Sequence, residues 1–262
     1  MKTVILLTKH RKSLQLAPIF SEAGIELVEI DFFDTDQLGT FSGEIKRNRS
    51  PKECALQKAK KAVELLGLNV GIGSEGSFGG GPLAGIINWN EEIVCLYQKQ
   101  PELIVYGIAA GPTALCGFKV SSLDELKRQV LDFPQQRWLI RTDVQLIKGL
   151  SSQDVINLYQ TTFIGGSISL EPDLRAMHSP LRQEMITKAG LNLLARLQST
   201  CPLCHAIDFW SDNKEYGPFC EQCGEPTGET KAAIYQCKAC QYVEKRIIKE
   251  IGDPYYCPHC NP

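Results

Sequence analysis

Four Cys-x-x-Cys pairs crowd the last third of the chain: Cys201/Cys204, Cys220/Cys223, Cys237/Cys240 and Cys257/Cys260. Fifteen residues separate the first pair from the second, and sixteen the third from the fourth. Both intervals match zinc ribbons, in which two knuckles at the ends of short hairpins converge on one tetrahedral ion. Two zinc ions are therefore expected, held by these eight cysteines. Sequential pairing, with one ribbon over 201–223 and the other over 237–260, is preferred to a cross-braced arrangement because each interval is already a complete ribbon. His205 and His259 are unnecessary as ligands when eight thiolates are at hand. A catalytic zinc keeps an open position, whereas four thiolates close it, so both ions are expected to be structural. A redox role for any one pair is disfavoured, since four pairs at this spacing are saturated by metal.

The chain holds eleven cysteines, and only Cys54, Cys95 and Cys116 lie outside that region. In a reducing compartment this usage means metal rather than disulfides. The opening MKTVILLT has a four-residue apolar run before Lys9, His10, Arg11 and Lys12, far short of a signal-peptide core or a membrane span. A cytoplasmic location without a membrane partner is the expectation. The formal net charge of -2 gives no general attraction to polyanions. In the cysteine-rich tail, six Lys and Arg face nine acids between Asp208 and Asp253, and each four-thiolate site adds negative charge. Nucleic acid is thus not the expected partner. A protein contact or homodimer formation fits the tail better.

Ahead of the tail, 262 residues with 43 % hydrophobic content leave room for a sizeable core over residues 1–198. Strands are read at Thr3–Leu7 and Glu26–Ile30, with a helix from Ser13 to about Ala23 between them. Ser50 and Glu53 form a capping box with Pro51 at the first helical position, so a helix starts there and stops at Gly67. Ala55, Ala59, Ala62, Val63 and Leu66 share its apolar face, and Lys58 is read on or near the polar side. A short strand from Asn69 to Ile72 leads into a glycine-rich turn that presents Glu75. Two β-rich runs, Ile93–Tyr97 and Glu102–Ile108, read as a hairpin. Ser122 with Glu125 and Ser151 with Asp154 cap helices to about Leu131 and Tyr159. Trp138–Arg141 and Val144–Ile147 read as short strands. Alternating strands and helices with some hairpins argue one mixed α/β sheet, followed at 199–262 by the small cysteine-rich double zinc ribbon.

Three stretches carry candidate chemistry. Thr8, Lys9 and Lys12 sit where the first strand turns into a helix, the end of an open α/β sheet at which ligands collect. The glycines around Ser74, Glu75 and Ser77 leave backbone N–H groups bare for an anion. Arg175, His178 and Arg182 lie on or beside the helix that starts at Ser179-Pro180, whose N-terminus favours anions. That helix is read as sending Leu181, Met185, Ala189, Leu193 and Leu197 into the core. The structural alternatives are a solvated turn for the first stretch, and pairing of Arg175 and Arg182 with Glu171, Asp173 or Glu184 for the third. A polar loop between the second strand and the capped helix holds Asp34, Asp36, Glu44, Lys46 and Arg47.

The order of these features resembles the inosine/xanthosine triphosphate pyrophosphatases over residues 3–80. The resemblance rests on Thr8 to Lys12, Ser42-Gly43-Glu44, the Glu53-Cys-Ala-Leu-Gln-Lys58-Ala helix and Val70-Gly-Ile-Gly-Ser-Glu75-Gly. Lys9 and His10 stand where that family has Asn-Pro or Gly-Asn, and a single acid stands where one branch has paired aspartates. Over its whole length the chain looks similar to an uncharacterised bacterial family with such a domain ahead of a double ribbon. The marks of that family are Gly39-Thr-Phe-Ser-Gly-Glu44, Ser74-Glu-Gly-Ser-Phe-Gly79, Glu171-x-Asp173-x-Arg175-Ala176 and Pro180-x-Arg182. The first resemblance implies a mixed-sheet nucleotide-pyrophosphatase-like fold and release of pyrophosphate from a nucleoside triphosphate or a related phosphorylated small molecule. It implies that Glu44 and Glu75 hold Mg2+ or Mn2+, which activates the attacking water. Lys12 and Lys58, with Arg175 and Arg182, would neutralise phosphate, and Glu53 would assist. The rival expectation is a nucleotide-sensing or protein-binding module that kept the fold without the chemistry.

Overall fold

The computed structural model describes residues 3–33, 49–79, 81–82, 84–142, 145–163 and 166–262. Glu44 and the acids and bases at 34–47 lie outside the described residues. The chain divides into two compact units, Met1–Leu193 and Leu194–Pro262.

The first unit opens β1 (Thr3–Leu7), α1 (Ser13–Glu22), β2 (Glu26–Ile30), α2 (Pro51–Leu66) and β3 (Val70–Phe78). It continues with the hairpin β4 (Trp89–Gln98) and β5 (Leu103–Pro112), which with the earlier strands forms one sheet in the order β2-β1-β3-β4-β5. β1 runs parallel to both β2 and β3, and β3, β4 and β5 are antiparallel in turn. β1 thus has its successors on opposite sides, the arrangement whose strand ends form a crevice in open α/β sheets.

Helices cover both faces. Gly71 and Gly73 let α2 lie directly on β3, for a Cβ there would stand 2.3 Å from the Ala59 carbonyl oxygen and 1.9 Å from that of Ala55. Ala55 and Ala59 pack with Ile93 and Cys95 on that side. On the other face α5 (Pro180–Gln198) crosses β5 at Gly107, where a Cβ would meet the Ala189 carbonyl oxygen at 2.2 Å, and the Asn192 side chain accepts from the Ile108 N–H at 3.0 Å. Leu16 and Ile19 of α1 fill the space above Gly190.

Sequence reasoning is corrected at four places here. Glu75 is not in a turn: β3 runs past it, and Glu75 is the register partner of Ile93 in the sheet interior. Lys58 belongs to the buried face of α2, while Leu66 is exposed. α5 buries Ala189 and Leu193 as expected, but at its start it buries Arg182 and Ile186 in place of Leu181, which is exposed, and Met185. Finally, the first unit holds two sheets. The second, all antiparallel, orders β6 (Phe118–Val120), β9 (Ile168–Pro172), β7 (Trp138–Arg141) and β8 (Leu146–Leu150), with β8 starting later than the expected 144. α3 (Leu123–Leu131) and α4 (Ser152–Thr161) close its core around Trp138, Ile140, Val155 and Leu170.

The second unit is built on short strands. β10 (Trp210–Tyr216), β12 (Thr230–Gln236) and β13 (Val243–Ile247) form an antiparallel sheet, and β11 (Phe219–Cys220) pairs in parallel with β14 (Ile251–Gly252). Arg196 anchors it, donating to Asp208 at 2.7 Å and with both terminal nitrogens to Asp212. No helix among the described residues is long and apolar enough to cross a membrane.

Candidate functional site

In the first unit the crevice between β1 and β3 holds a cluster of buried charges. Lys12, at the start of α1 and 4 % exposed, donates to the hydroxyl of Ser74 at 3.0 Å. Ser74 is 2 % exposed and points to the α1 and α5 face of β3. On that face Glu92 of β4, opposite Gly76 in register, takes two hydrogen bonds from Arg182, 2.6 Å from Nε and 2.9 Å from Nη2. Both partners are fully buried, and Asn90 donates to Glu92 at 3.2 Å while Arg182 Nη1 reaches the Leu174 carbonyl. Gly76 makes room for this pair, since a Cβ there would stand 2.4 Å from Arg182 Nη2. On the opposite face of β3, Lys58 donates to Glu75 at 2.7 Å, the carboxylate being 4 % exposed.

Among the described residues, Lys12 differs from Lys58 and Arg182 in that its hydrogen bond goes to a hydroxyl rather than to a carboxylate. Burial pushes its ammonium down to about 7; Arg182 and Lys58 push the same way, and Glu92 and Glu75 oppose them. Among the described residues, Lys12, Lys58 and Arg182 thus share this buried cluster with Glu75 and Glu92.

A second group of cations surrounds His178. Burial holds the His178 imidazole below its usual range; Asp173 opposes that, and Arg175, Arg137 and Arg11 reinforce it. The turn after β1 and the segment before α5 therefore lie within electrostatic reach of each other. Arg11 adopts a left-handed backbone, φ 52°, an uncommon conformation for a residue other than glycine. Asp173 is buried and clamps Arg175 at 2.6 Å.

The cluster brings together Lys12, Lys58, Ser74, Glu75 and Arg182 of the expected residues, with Thr8 buried at the end of β1. Lys9 is exposed, and Ser77 is half-buried with its carbonyl taken by Asn90. Glu53 sits apart, capping α2 through Ser50 at 2.7 and 2.8 Å, with that hydroxyl drawing its carboxyl below the usual range. Glu92 escaped sequence reasoning. Its signal was a carboxylate on the inward phase of an otherwise apolar strand, a position that demands a buried cation. The described residues do not compose a magnesium site, because Glu75 is tied to Lys58, Glu92 is tied to Arg182, and no third acid joins them.

In the second unit the cysteines converge in two groups, Cys201, Cys204, Cys237 and Cys240, and Cys220, Cys223, Cys257 and Cys260. The sequential expectation is overturned, since the first pair joins the third and the second joins the fourth. Within each group all ligand atoms lie within 4.8 Å of one another, and cross-pair Sγ–Sγ distances run from 3.5 to 3.9 Å. A tetrahedron with Zn–S bonds of about 2.3 Å has sulfur edges of about 3.8 Å, so the donor set fits zinc. It is far from a disulfide's S–S length of about 2.05 Å.

The knuckles share one turn. In each, the N–H four residues after the first cysteine returns to that cysteine's carbonyl, from His205, Gly224, Gln241 and Asn261. His205, Gly224 and Gln241 take positive φ there, which gives His205 a backbone role rather than a ligand role. Four thiolates leave zinc no open position, so these sites order the chain.

Fold and site together define an α/β protein with a buried charge cluster and a cysteine-rich unit fit for two zinc ions. The chain belongs to the family described as a domain of unknown function, DUF6671, which it matches over residues 58–262. The match begins at Lys58 and spans the rest of the charge cluster and both cysteine groups, whereas Lys12 precedes it. No curated protein matches the chain.

Proposed function

We propose that the first unit is a hydrolase of a phosphorylated small molecule, with a nucleoside triphosphate as substrate and pyrophosphate as product, and that the zinc ribbons are structural. The observation that carries this reading is Lys12. A buried ammonium beyond the carboxyl end of β1 is hydrogen-bonded to the neutral Ser74 hydroxyl, whereas its neighbours Lys58 and Arg182 are ion-paired. Phosphate at this place would meet Lys12 and Ser74, a recognition set of charge and hydroxyl donors. Support for a nucleotide comes from the resemblance carried by Thr8 to Lys12 and by Val70 to Gly76. No step is routed through a protein-bound divalent ion, because the described residues do not form its site.

A second reading, binding without turnover, is favoured by one observation: both buried carboxylates, Glu75 and Glu92, are already committed to cations. Pyrophosphate release from a panel of standard and deaminated nucleoside triphosphates, alongside calorimetric binding, separates the two. Turnover that Lys12→Met lowers at least 100-fold, in protein that keeps its circular dichroism, is the expected result. Tight binding without turnover moves the assignment to a sensor, and absence of binding overturns both.

A further inference from the structure

We infer that Ser74 and Lys12 form a nucleophile-base dyad, in which the Ser74 hydroxyl attacks an electrophilic phosphorus and the Lys12 amine takes its proton. The two side chains are 62 positions apart in sequence, yet both are buried and their polar atoms are 3.0 Å apart, Ser74 lying in mid-β3 one residue beyond its last pairing with β1. A serine hydroxyl is a weak nucleophile until a base lies within hydrogen-bond reach, and a lysine serves as that base when its surroundings favour the neutral amine. Here burial does so, reinforced by the cations of Arg182 and Lys58 against the opposing charges of Glu92 and Glu75, which are bonded to other partners. With the amine neutral, the bond runs from the hydroxyl to the nitrogen lone pair, which is the direction of proton transfer.

The step balances without a further reactant. As the bond from Ser74 Oγ to phosphorus forms, the bridging phosphorus–oxygen bond breaks, and the proton received by Lys12 passes to the departing oxygen. Water then attacks the phosphoserine, Lys12 takes a proton from it, and Ser74 regains its hydroxyl hydrogen, so one water is consumed per turnover. The inference rests on the phosphorylated-ligand reading of this site only for the natural electrophile.

The test therefore uses a small fluorophosphonate, whose phosphorus bonds to an activated serine as fluoride leaves. The full-length, zinc-loaded protein is expected to gain one adduct, mapped to Ser74 by peptide mass spectrometry. The labelling rate should rise as pH increases through about 7 and level off above it, following Lys12. Lys12→Met should slow labelling about 100-fold, the low end for loss of a positioned base. Ser74→Cys controls for access, its thiol being read by reaction with methyl methanethiosulfonate. A thiol that reacts while wild-type Ser74 stays unlabelled overturns the dyad, as does labelling indifferent to Lys12→Met. A position that neither reagent reaches is closed core and overturns it equally. An adduct in a protein that turns over no nucleotide keeps the dyad and removes the nucleotide reading, whereas nucleotide turnover without any adduct does the reverse.

Discussion

A buried ammonium hydrogen-bonded to a hydroxyl rather than to a carboxylate costs the fold free energy at every pH at which it stays charged, and Lys12 is such a group. Its folded pKa of about 7 lies below the ordinary 10.5. Between those values the unfolded chain binds the extra proton and the folded chain does not, so stability rises with pH across that window. Below pH 7 both states are protonated and the whole cost is present. Lys12→Met removes the titration while keeping the length of the side chain. It is expected to be more stable than wild type by several kcal/mol at pH 6 in urea denaturation, with the gap narrowing steadily as pH approaches 10. An equal gap at both ends would mean that Lys12 is not the titrating group.

At the scale of elements, β3 shows why part of the site was hidden in the sequence. The caps of α2, α3 and α4 were legible because Ser50 with Glu53, Ser122 with Glu125 and Ser151 with Asp154 act within one turn, and each hydroxyl takes the expected backbone N–H. Gly73 and Gly76 read as part of a turn, yet in the fold they bring a helix and a guanidinium against a central strand. Nothing local distinguishes these uses of glycine, because the deciding neighbours, Ala55, Ala59 and Arg182, come from other elements. The first turns of α5 were misphased for the same reason, while Ala189 and Leu193 are buried as read. Arg182 takes an apolar position only because Glu92, ninety residues earlier, waits there. The role of Gly73 is measurable. Gly73→Ala drives a methyl into the Ala55 carbonyl, a backbone group that cannot rotate away, and should destabilise the first unit by about 3 kcal/mol through overpacking. Gly111→Ala is the matched control, since its methyl meets only Met185, at 4.0 Å, and should stay within about 0.5 kcal/mol. Equal effects in denaturant titrations would refute the close approach of α2.

At the scale of the whole molecule, the cysteine-rich unit joins segments that the local pattern treats as separate. Ligand spacing made each knuckle legible, because two cysteines three apart and the turn after them form a local device. Which knuckle meets which is decided by strand pairing. β12 carries the chain from beside the second knuckle to the third, and β11 pairs with β14 so that the second knuckle faces the fourth. Interleaving means that an ion in either group would close a loop containing a knuckle of the other, so zinc binding free energy would be folding free energy for the unit as a whole. Two fourfold variants of the full chain separate the pairings. Alanine at Cys201, Cys204, Cys237 and Cys240 leaves the second and fourth knuckles, a complete site when pairs interleave. Alanine at Cys201, Cys204, Cys220 and Cys223 leaves the third and fourth, which then belong to different sites. After gel filtration against a chelator, elemental analysis should find one tightly held zinc per chain in the first variant, none in the second and two in the wild type. Sequential pairing requires the opposite order of the two variants, because the third and fourth knuckles would then be the complete site.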